Sequence, residues 1–252
     1  MPATVNVQRV AAWQCAPLPA GEPDPVAANL ARLDDACARA AAAGADVLVT
    51  PELFTTGYGL PRERLAALAE PLVGPTLRAA GAVAARHGVA VVLGHPELRP
   101  GGRVANAATL LDATGRVVGT HRKVHLFGDH DATRFVASAA VPQPVCPGVG
   151  LLVCYDVEHR DTLRALTERG ARLVLVPTAN PTGYEQVSVA LLPAYAASSA
   201  TTIVYANHCG SDEAYAYAGL STVLGPDGAV LALAPADEEA LLVVDVPTAA
   251  VE

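Results

Sequence analysis

Apolar residues recur in this chain in two patterns, one of short runs and one of longer segments. The short runs are rich in Val and Leu and predict strands buried in a sheet. They cover residues 5–13, 45–50, 89–94, 105–112, 117–123, 151–154, 173–177, 202–206, 221–224, 229–232 and 241–246. The sequence Gly-Pro-Asp-Gly at 225–228 separates two of these runs and predicts a hairpin turn.

Longer segments rich in Ala and Leu predict helices over residues 25–43, 77–87 and 158–170. Gly44 and Gly170 mark the ends of two of them, as glycine often does. Strands that alternate with helices predict one α/β domain spanning residues 1–252, with helices on the faces of the sheets. In such folds, functional side chains gather at the carboxyl ends of strands.

Residues 186–211 contain no Asp, Glu, Lys or Arg. A membrane span would explain such a stretch, but Pro193, Asn207, His208 and several Ser and Thr residues interrupt it. The segment therefore predicts a buried helix followed by a buried strand, and no association with a membrane.

Composition narrows the possible functions. The 252 residues are 52% hydrophobic and 17% charged, which is typical of a folded domain, and the net charge is -8. No run of Lys and Arg is long enough for a polyanion site, so nucleic acid is not an expected partner. The five cysteines lack a C-x-x-C spacing and predict neither a disulfide framework nor a zinc site. Reduced thiols and the lack of a signal-peptide pattern indicate a cytoplasmic protein.

Three reactive side chains lie at or just after the ends of predicted strands: Glu52, Lys123 and Cys154. Taken singly, each has an ordinary explanation, as a loop carboxylate, a surface charge or an inert buried thiol. Together their chemistry is complementary. A thiol needs a base to become a nucleophile, and Glu52 can supply one. A fixed ammonium at Lys123 can stabilise the oxyanion that forms when a carbonyl is attacked.

The segments around these residues resemble the signature blocks of the nitrilase superfamily, the carbon–nitrogen hydrolases. They read ADVLVTPELFTTGY around Glu52, HRKVHLFGDHDATRF around Lys123, and LLVCYDVE around Cys154, with LVLVPTAN after it. GHPE and LLDATGRVVGTHRK lead into the second block, and YANHCG and GLSTVLGPDG follow the third. The blocks stand in the family's order, and the resemblance extends from about residue 10 to residue 246.

This resemblance implies a four-layer αββα sandwich, in which two sheets face each other between layers of helices. It implies that Cys154 is the nucleophile, that Glu52 is the general base, and that Lys123 stabilises the oxyanion with the backbone N–H of Tyr155. The reaction would pass through a thioester on Cys154 and would need neither a metal nor an organic cofactor. Proteins of this family usually form homodimers or larger homo-oligomers, and we expect the same here.

The Cys-Tyr-Asp sequence and the run HLFGD resemble the aliphatic amidase branch, including 5-aminopentanamidase, and predict a small-molecule amide as substrate. The family often has a supporting Glu after the lysine block. Asp131 occupies that place with a shorter side chain, and a loop carboxylate that accepts hydrogen bonds is the alternative.

Four residues near the blocks are candidates for contact with the substrate: Tyr58, Tyr155, Ala179 and Asn180. Tyr58 follows the glutamate block, and a core aromatic with a satisfied hydroxyl is an equal alternative for it. Ala179 and Asn180 end the block LVLVPTAN, where side chains can line a pocket.

Two segments depart from the amidase pattern. His159-Arg160-Asp161 stands where Phe-Pro-Glu is usual, and residues 193–199 lack the charged residues of the corresponding helix. These departures predict a substrate unlike that of the best-known relatives. Hydrolysis of a small primary amide is the leading hypothesis. The alternatives are N-carbamoyl amine hydrolysis, acyl transfer through the same thioester, and a catalytically silent binding or assembly protein.

Overall fold

Two β-sheets, packed face to face, form the centre of the protein. They are seen in a computed structural model, which describes residues 7–19 and 21–247. In this part of the chain the first sheet contains β1 (Arg9–Gln14), β2 (Val47–Val49), β3 (Ala90–Arg99), β4 (Arg103–Leu111), β5 (Val117–Arg122) and β11 (Ala240–Asp245). The second contains β6 (Val149–Leu151), β7 (Leu173–Pro177), β8 (Thr202–Ala206), β9 (Thr222–Leu224) and β10 (Val230–Leu233).

Each sheet has a parallel part and an antiparallel part. The strand order of the first sheet is β11-β1-β2-β3-β4-β5, and β1, β2 and β3 are parallel. The order of the second is β10-β9-β8-β7-β6, and β6, β7 and β8 are parallel. Strands β5 and β6 are thus edge strands of different sheets. Lys123 follows the first directly, and Cys154 comes three residues after the end of the second.

Six α-helices lie in the described ranges: α1 (Pro25–Ala42), α2 (Arg62–Leu68), α3 (Pro75–His87), α4 (Gly128–Ala132), α5 (Arg160–Thr167) and α6 (Leu192–Ser199). A 3-10 turn spans Cys154–Glu158, and a π-helical turn over Val187–Leu191 leads into α6. Helix α1 begins where the Asp24 side chain accepts a hydrogen bond of 3.1 Å from the backbone N–H of Ala27. It ends before Gly44, whose φ of 75° is left-handed.

Apolar side chains fill three layers of core. Val47, Val92, Leu151 and Val204 belong to the layer between the two sheets. On the outer face of the first sheet, α1 and α3 pack Leu33, Leu77 and neighbouring side chains against strand residues such as Leu48. On the outer face of the second sheet, α5 and α6 do the same with Leu163, Leu192 and Ile203. The architecture is therefore the expected four-layer αββα sandwich.

Several predicted boundaries change. Strand β6 ends at Leu151, so Cys154 begins a 3-10 turn and is not the last residue of a strand. The predicted helix over 158–170 is shorter, since Glu158 belongs to that turn and α5 starts at Arg160. Helices α2 and α4 were not predicted, because each buries only one side chain and leaves no apolar period in the sequence. Residues 5 and 6 of the first predicted strand lie outside the described ranges.

The uncharged stretch forms the π-helical turn, α6 and β8. Strand β8 is buried throughout, as expected. Helix α6 is not, because it buries only Leu192 and Ala196 and presents its other face outward. Over the two ranges that the structure describes, no helix has the length and apolar character needed to cross a membrane.

Candidate active site

The fold brings together the three residues that the sequence singled out. The Lys123 ammonium donates a hydrogen bond of 2.7 Å to Oε1 of Glu52, and both side chains are completely buried. The thiol of Cys154 is also buried, and the charges of Glu52 and Lys123 both act on its pKa. Glu52 and Lys123 follow strands β2 and β5 of the first sheet, whereas Cys154 follows β6 of the second. The packing of the two sheets therefore brings the thiol to the ion pair.

Glu52 stands in a tight turn that follows β2. Its backbone N–H donates to the carbonyl of Thr178 at 3.1 Å, and its carbonyl faces Nε2 of His208 at 3.0 Å. The turn packs directly on Gly94 of β3, where a Cβ atom would come within 2.3 Å of the Pro51 carbonyl oxygen. The absence of a side chain at Gly94 therefore permits the close approach that places Glu52.

Lys123 makes a second buried ion pair, with Asp131 on α4, at 2.7 Å between Nζ and Oδ2. The Asp131 carboxylate also accepts hydrogen bonds from the Tyr58 hydroxyl at 2.8 Å and from the backbone N–H of Phe127 at 3.0 Å. The shorter side chain of Asp131 thus reaches Lys123. Its carboxylate forms a buried ion pair as well as hydrogen bonds, which an ordinary loop carboxylate does not. Tyr58 is 3% exposed, so it is a core aromatic whose hydroxyl is satisfied inside the site.

Cys154 adopts a left-handed backbone conformation, with φ of 46°. For a residue other than glycine this costs roughly 1–2 kcal/mol, and the surrounding hydrogen bonds must hold it. The turn directs the thiol toward Glu52 and Lys123. The hydroxyl of Thr178 and the backbone N–H of Ala179, which directly follow β7, also interact with this thiol.

Burial and neighbouring charges set the protonation of the site. Burial, and then the charge of Glu52, raise the pKa of the Cys154 thiol, although Lys123 acts in the opposite direction. Burial also raises the pKa of Glu52, against the influence of Lys123. For Lys123, burial is outweighed by Glu52, Cys154 and Asp131, which hold its pKa well above the usual value. The resting site therefore contains a protonated thiol and a charged ammonium.

Burial alone would raise the pKa of Asp131 as well. The ammonium of Lys123 and the hydrogen bonds from Phe127 and Tyr58 outweigh that effect and lower this pKa. Asp131 therefore stays ionised and provides a second negative charge for Lys123.

The two carboxylate oxygens of Glu52 differ in their hydrogen bonds. Its Oε1 accepts hydrogen bonds from Lys123 and, at 2.6 Å, from Nδ2 of Asn106. Its Oε2 is buried and has no hydrogen-bond partner among the described residues. A buried acceptor without a donor costs about 1–3 kcal/mol. This oxygen belongs to the carboxylate whose charge acts on the Cys154 thiol, and it is free to accept a proton.

Aromatic side chains surround the turn that carries Cys154. The Tyr155 ring contacts Phe127 and His159 edge to face, with centroid distances of 5.4 and 4.6 Å. His159 stacks on His125 at 3.7 Å, and Phe127 also contacts Tyr184. His159, one of the departures from the amidase pattern, is thus part of this aromatic cluster.

The other candidates for substrate contact are buried. Ala179 lies beside the thiol. The side chain of Asn180 donates to the carbonyl of Tyr184 at 3.0 Å, and its backbone N–H donates to Asn207 at 2.8 Å. These bonds brace the loop after β7. That Tyr58, Tyr155, Ala179 and Asn180 contact a substrate stays a prediction.

Asn106 was not among the predicted site residues, although it is a polar residue in the middle of an apolar strand. A second signal concerns Lys123. Of the 17 Lys and Arg residues in the sequence, it is the only lysine. All the other permanently positive side chains are arginines. The single compact ammonium stands at the position where it forms ion pairs with two carboxylates.

Comparison with known proteins shows the family of this chain. The sequence profile of the carbon–nitrogen hydrolase family matches residues 9–252. The chain belongs to this family. The resemblance to the nitrilase superfamily and to its amidase branch is thereby confirmed, as is the prediction of a hydrolase that acts on carbon–nitrogen bonds. No group of three or more His, Cys, Asp or Glu residues in the described ranges is arranged to hold a metal ion.

Three relatives illustrate the similarity of this carbon–nitrogen hydrolase to known proteins. A Pseudomonas protegens protein named "Hydrolase in pqqF 5'region" is 39% identical over 94% of this chain and 82% of its own length. An (R)-stereoselective amidase from a Pseudomonas species is 35% identical over 87% of this chain and 79% of its own length. The crystal structure of an amidase from a Nesterenkonia species has a TM-score of 0.87 and 36% identity, over 98% of this chain and 93% of that one.

In a mutant of the Nesterenkonia amidase, acrylamide has undergone Michael addition at the active-site cysteine. That structure is 36% identical, with a TM-score of 0.87, over 95% of this chain and 93% of that one. These relatives support cysteine-dependent amide hydrolysis for the present carbon–nitrogen hydrolase.

Proposed function

We propose that this carbon–nitrogen hydrolase converts a small aliphatic primary amide to a carboxylate and ammonia, with Cys154 as the nucleophile, Glu52 as the base and Lys123 beside the oxyanion. The observation that carries the proposal is the buried Lys123–Glu52 ion pair, which occupies Oε1 of Glu52 and leaves Oε2 without a partner among the described residues, in a carboxylate whose charge acts on the Cys154 thiol. This arrangement supplies a proton acceptor and a fixed positive charge at one point.

The first half of the reaction forms a thioester. The thiol proton of Cys154 passes to Oε2 of Glu52 as sulfur attacks the amide carbon. The carbonyl oxygen gains negative charge, which Lys123 and the backbone N–H of Tyr155 stabilise. When the tetrahedral adduct collapses, the carbon–nitrogen bond breaks, and the proton on Glu52 moves to the departing nitrogen, which leaves as ammonia.

The second half regenerates the thiol. Glu52 takes a proton from a water molecule, whose oxygen attacks the thioester carbon. The second tetrahedral adduct collapses by breaking the carbon–sulfur bond, and the proton on Glu52 returns to the sulfur of Cys154. The product forms as a carboxylic acid, which gives its proton to water or to the released ammonia and leaves as a carboxylate. Glu52 thus serves as base and acid in turn, which a raised pKa favours.

Charge near the site favours neutral or cationic amides over amides that carry a carboxylate. Glu52 and Asp131 outnumber Lys123 there. Glu158, four residues after Cys154, is half-buried, and its carboxylate has no hydrogen-bond or ion-pair partner among the described residues. Burial raises the pKa of Glu158 to about 7, although Lys123, which is close enough to act on it, lowers it. Above that pH, an anionic substrate would meet uncompensated negative charge at Glu158.

The experiment that tests the proposal measures ammonia released from aliphatic amides, ω-amino amides, N-carbamoyl amines and nitriles. Cys154→Ala is the inactive variant, and Cys37→Ala is its matched control, because Cys37 is a buried thiol on α1 in the outer core. Release from an amide that disappears in Cys154→Ala and persists in Cys37→Ala is the expected result. Release that survives Cys154→Ala would contradict the assignment of the nucleophile.

The same panel separates the alternatives. Release of carbon dioxide together with ammonia would indicate an N-carbamoyl amine hydrolase, and hydroxamate formation that outpaces hydrolysis when hydroxylamine is present would indicate acyl transfer. A folded protein that neither turns over any compound nor forms an adduct with fluoroacetamide would be a silent scaffold. For substrate charge, butanamide and 4-aminobutanamide should both outperform succinamate. Equal rates for all three would contradict the charge argument.

A further inference from the structure

Asp156 lies two residues after Cys154, and the reaction proposed above does not use it. Its side chain is fully buried. Oδ1 accepts hydrogen bonds from the backbone N–H groups of Val124 at 3.0 Å and His125 at 2.8 Å. Oδ2 lies 2.8 Å from Nε2 of His121 and accepts from the backbone N–H of Val153 at 3.3 Å. Because a carboxylate only accepts, Nε2 of His121 carries the proton.

These four donors come from two separate segments. His121, Val124 and His125 belong to the end of β5 and the loop after it, and they surround Lys123 in sequence. Val153 directly precedes Cys154. Strands β5 and β6 are edge strands of different sheets and do not pair with each other. A single carboxylate therefore links the segment that carries the ammonium to the segment that carries the thiol.

Asp156 also closes the turn in which Cys154 is held. Its backbone N–H donates to the Val153 carbonyl at 3.0 Å, while the Val153 N–H donates back to its side chain. This reciprocal pair encloses Cys154 in its left-handed conformation. The hydrogen bonds of the Asp156 side chain thus constrain both the conformation of the turn that orients the thiol and the position of the segment that carries Lys123.

We propose that Asp156 is a positioning residue that fixes the Lys123 ammonium relative to the Cys154 thiol by joining the edge of one sheet to the edge of the other. The proposal rests on the proposed function for the roles of Lys123 and Cys154. It predicts that loss of these hydrogen bonds impairs the chemical step while substrate binding is little changed.

Two variants test it. Asp156→Ala removes all four contacts, and kcat should fall on the order of 100-fold with little change in KM, because small displacements of reacting groups have effects of that size. Asp156→Asn retains an oxygen for Val124 and His125 but presents an amide to the Val153 N–H, so its loss should be intermediate. Asp112→Asn is the matched control: it is a carboxylate that accepts three hydrogen bonds in an exposed turn.

Two further measurements need no substrate. Because Lys123 is the only lysine, lysine labelled with ¹³C at Cε gives one NMR resonance. That resonance should shift in both Asp156 variants and stay unchanged in Asp112→Asn. Peptide mapping gives the rate at which iodoacetamide alkylates Cys154 at each pH. In the Asp156 variants, the increase of this rate with pH should begin at a higher pH than in wild-type, because a displaced ammonium no longer favours the thiolate.

A folded Asp156 variant with wild-type kcat, lysine resonance and alkylation profile would overturn the proposal. Should Asp156→Ala not fold, the isosteric Asp156→Asn decides by the same criteria. If the wild-type protein hydrolyses no amide, the proposed function fails. The lysine resonance and the alkylation profile still show whether Asp156 positions Lys123 and Cys154.

Discussion

The ammonium of Lys123 lies 2.7 Å from the carboxylate of Asp131, and neither side chain is exposed. The carboxylate of Glu52 also lies 2.7 Å from this ammonium. One buried ammonium therefore forms ion pairs with two buried carboxylates. Removal of Lys123 would therefore leave two carboxylates uncompensated, whereas removal of either carboxylate charge leaves the ammonium paired with the other.

Asp131→Asn tests the charge at this position. The Asn oxygen can still accept from Lys123 and Phe127, and the Tyr58 hydroxyl can rotate to accept from the new amide. We therefore expect stability to fall by only about 1–3 kcal/mol. The kcat should fall roughly tenfold, equivalent to about 1.4 kcal/mol, because Lys123 loses part of its anchorage. Urea unfolding and steady-state kinetics measure the two effects.

The control for this change is Asp129→Asn, an exposed aspartate on the same short helix. It should leave both quantities unaltered. Wild-type kcat in Asp131→Asn would show that the negative charge of Asp131 contributes nothing to the reaction.

Glu52→Gln distinguishes the proposed role of Glu52 as a base from its role as a hydrogen-bond acceptor. The Gln oxygen can keep the bonds from Lys123 and Asn106, and its amide replaces Oε2, which has no partner to lose among the described residues. The melting temperature should therefore stay close to wild-type, while kcat falls by about 10²–10⁴, the usual contribution of a general base. Glu63→Gln, an exposed carboxylate on α2, is the control. A large loss of stability without loss of activity would contradict the role of Oε2.

Lys123→Met removes the cation and retains the length of the side chain. Glu52 and Asp131 then face each other without compensation, and stability at neutral pH should fall by about 3–5 kcal/mol. Both carboxyl groups would have folded-state pKa values above those of the unfolded chain. The variant should therefore regain stability as pH falls. Activity should fall by about 10²–10³, the cost of one oxyanion donor.

Thermal melts of Lys123→Met across a pH series give the measurement. Arg62→Met, which removes an exposed cation from α2, should show neither the loss nor its pH dependence. A loss of stability that is constant with pH would mean that the two carboxylates are not the source of the destabilisation.

Glu158→Gln tests the half-buried carboxyl group near the site. Its folded-state pKa of about 7 exceeds the ordinary value of 4.5. Between these values the folded protein binds more protons than the unfolded chain, so Glu158 favours the folded state at low pH and loses that effect as pH rises through about 7. Gln stays neutral throughout. The variant should gain stability over wild-type at and above neutral pH.

The melting temperature of Glu158→Gln should accordingly vary less with pH between 4.5 and 7. Glu168→Gln, an exposed carboxyl group just after α5, is the comparison. If wild-type and Glu158→Gln have parallel pH profiles, the shift assigned to burial is wrong. The substrate panel gives an independent result, since Glu158→Gln should reduce any advantage of cationic amides and leave neutral ones unchanged.

Much of the fold was predictable because its elements carry strong local signals. Helix α1 has a capping Asp24, a proline at its start and Gly44 after its end, and strands such as β7 and β8 are uninterrupted apolar runs. Helices α2 and α4 have neither a side-chain cap nor a periodic run of apolar residues. Their helical conformation therefore depends on the surrounding structure and could not be predicted from the local sequence.

The sequence by itself determined most types of element and the order of the three signature blocks, and it singled out Glu52, Lys123 and Cys154 as candidates, because periodicity and motif are local properties of a chain. It could not show that Asn106 bonds Glu52, that Asp131 reaches Lys123, or that Asp156 joins the edges of two sheets. These relationships link residues on separate strands and loops. Distances of 2.6–2.8 Å between such atoms arise only in the folded chain, where buried polar groups must be paired. The strand order of the first sheet brings Asn106 to Glu52, the loop through α4 brings Asp131 to Lys123, and the packing of the two sheets brings Asp156 to His121.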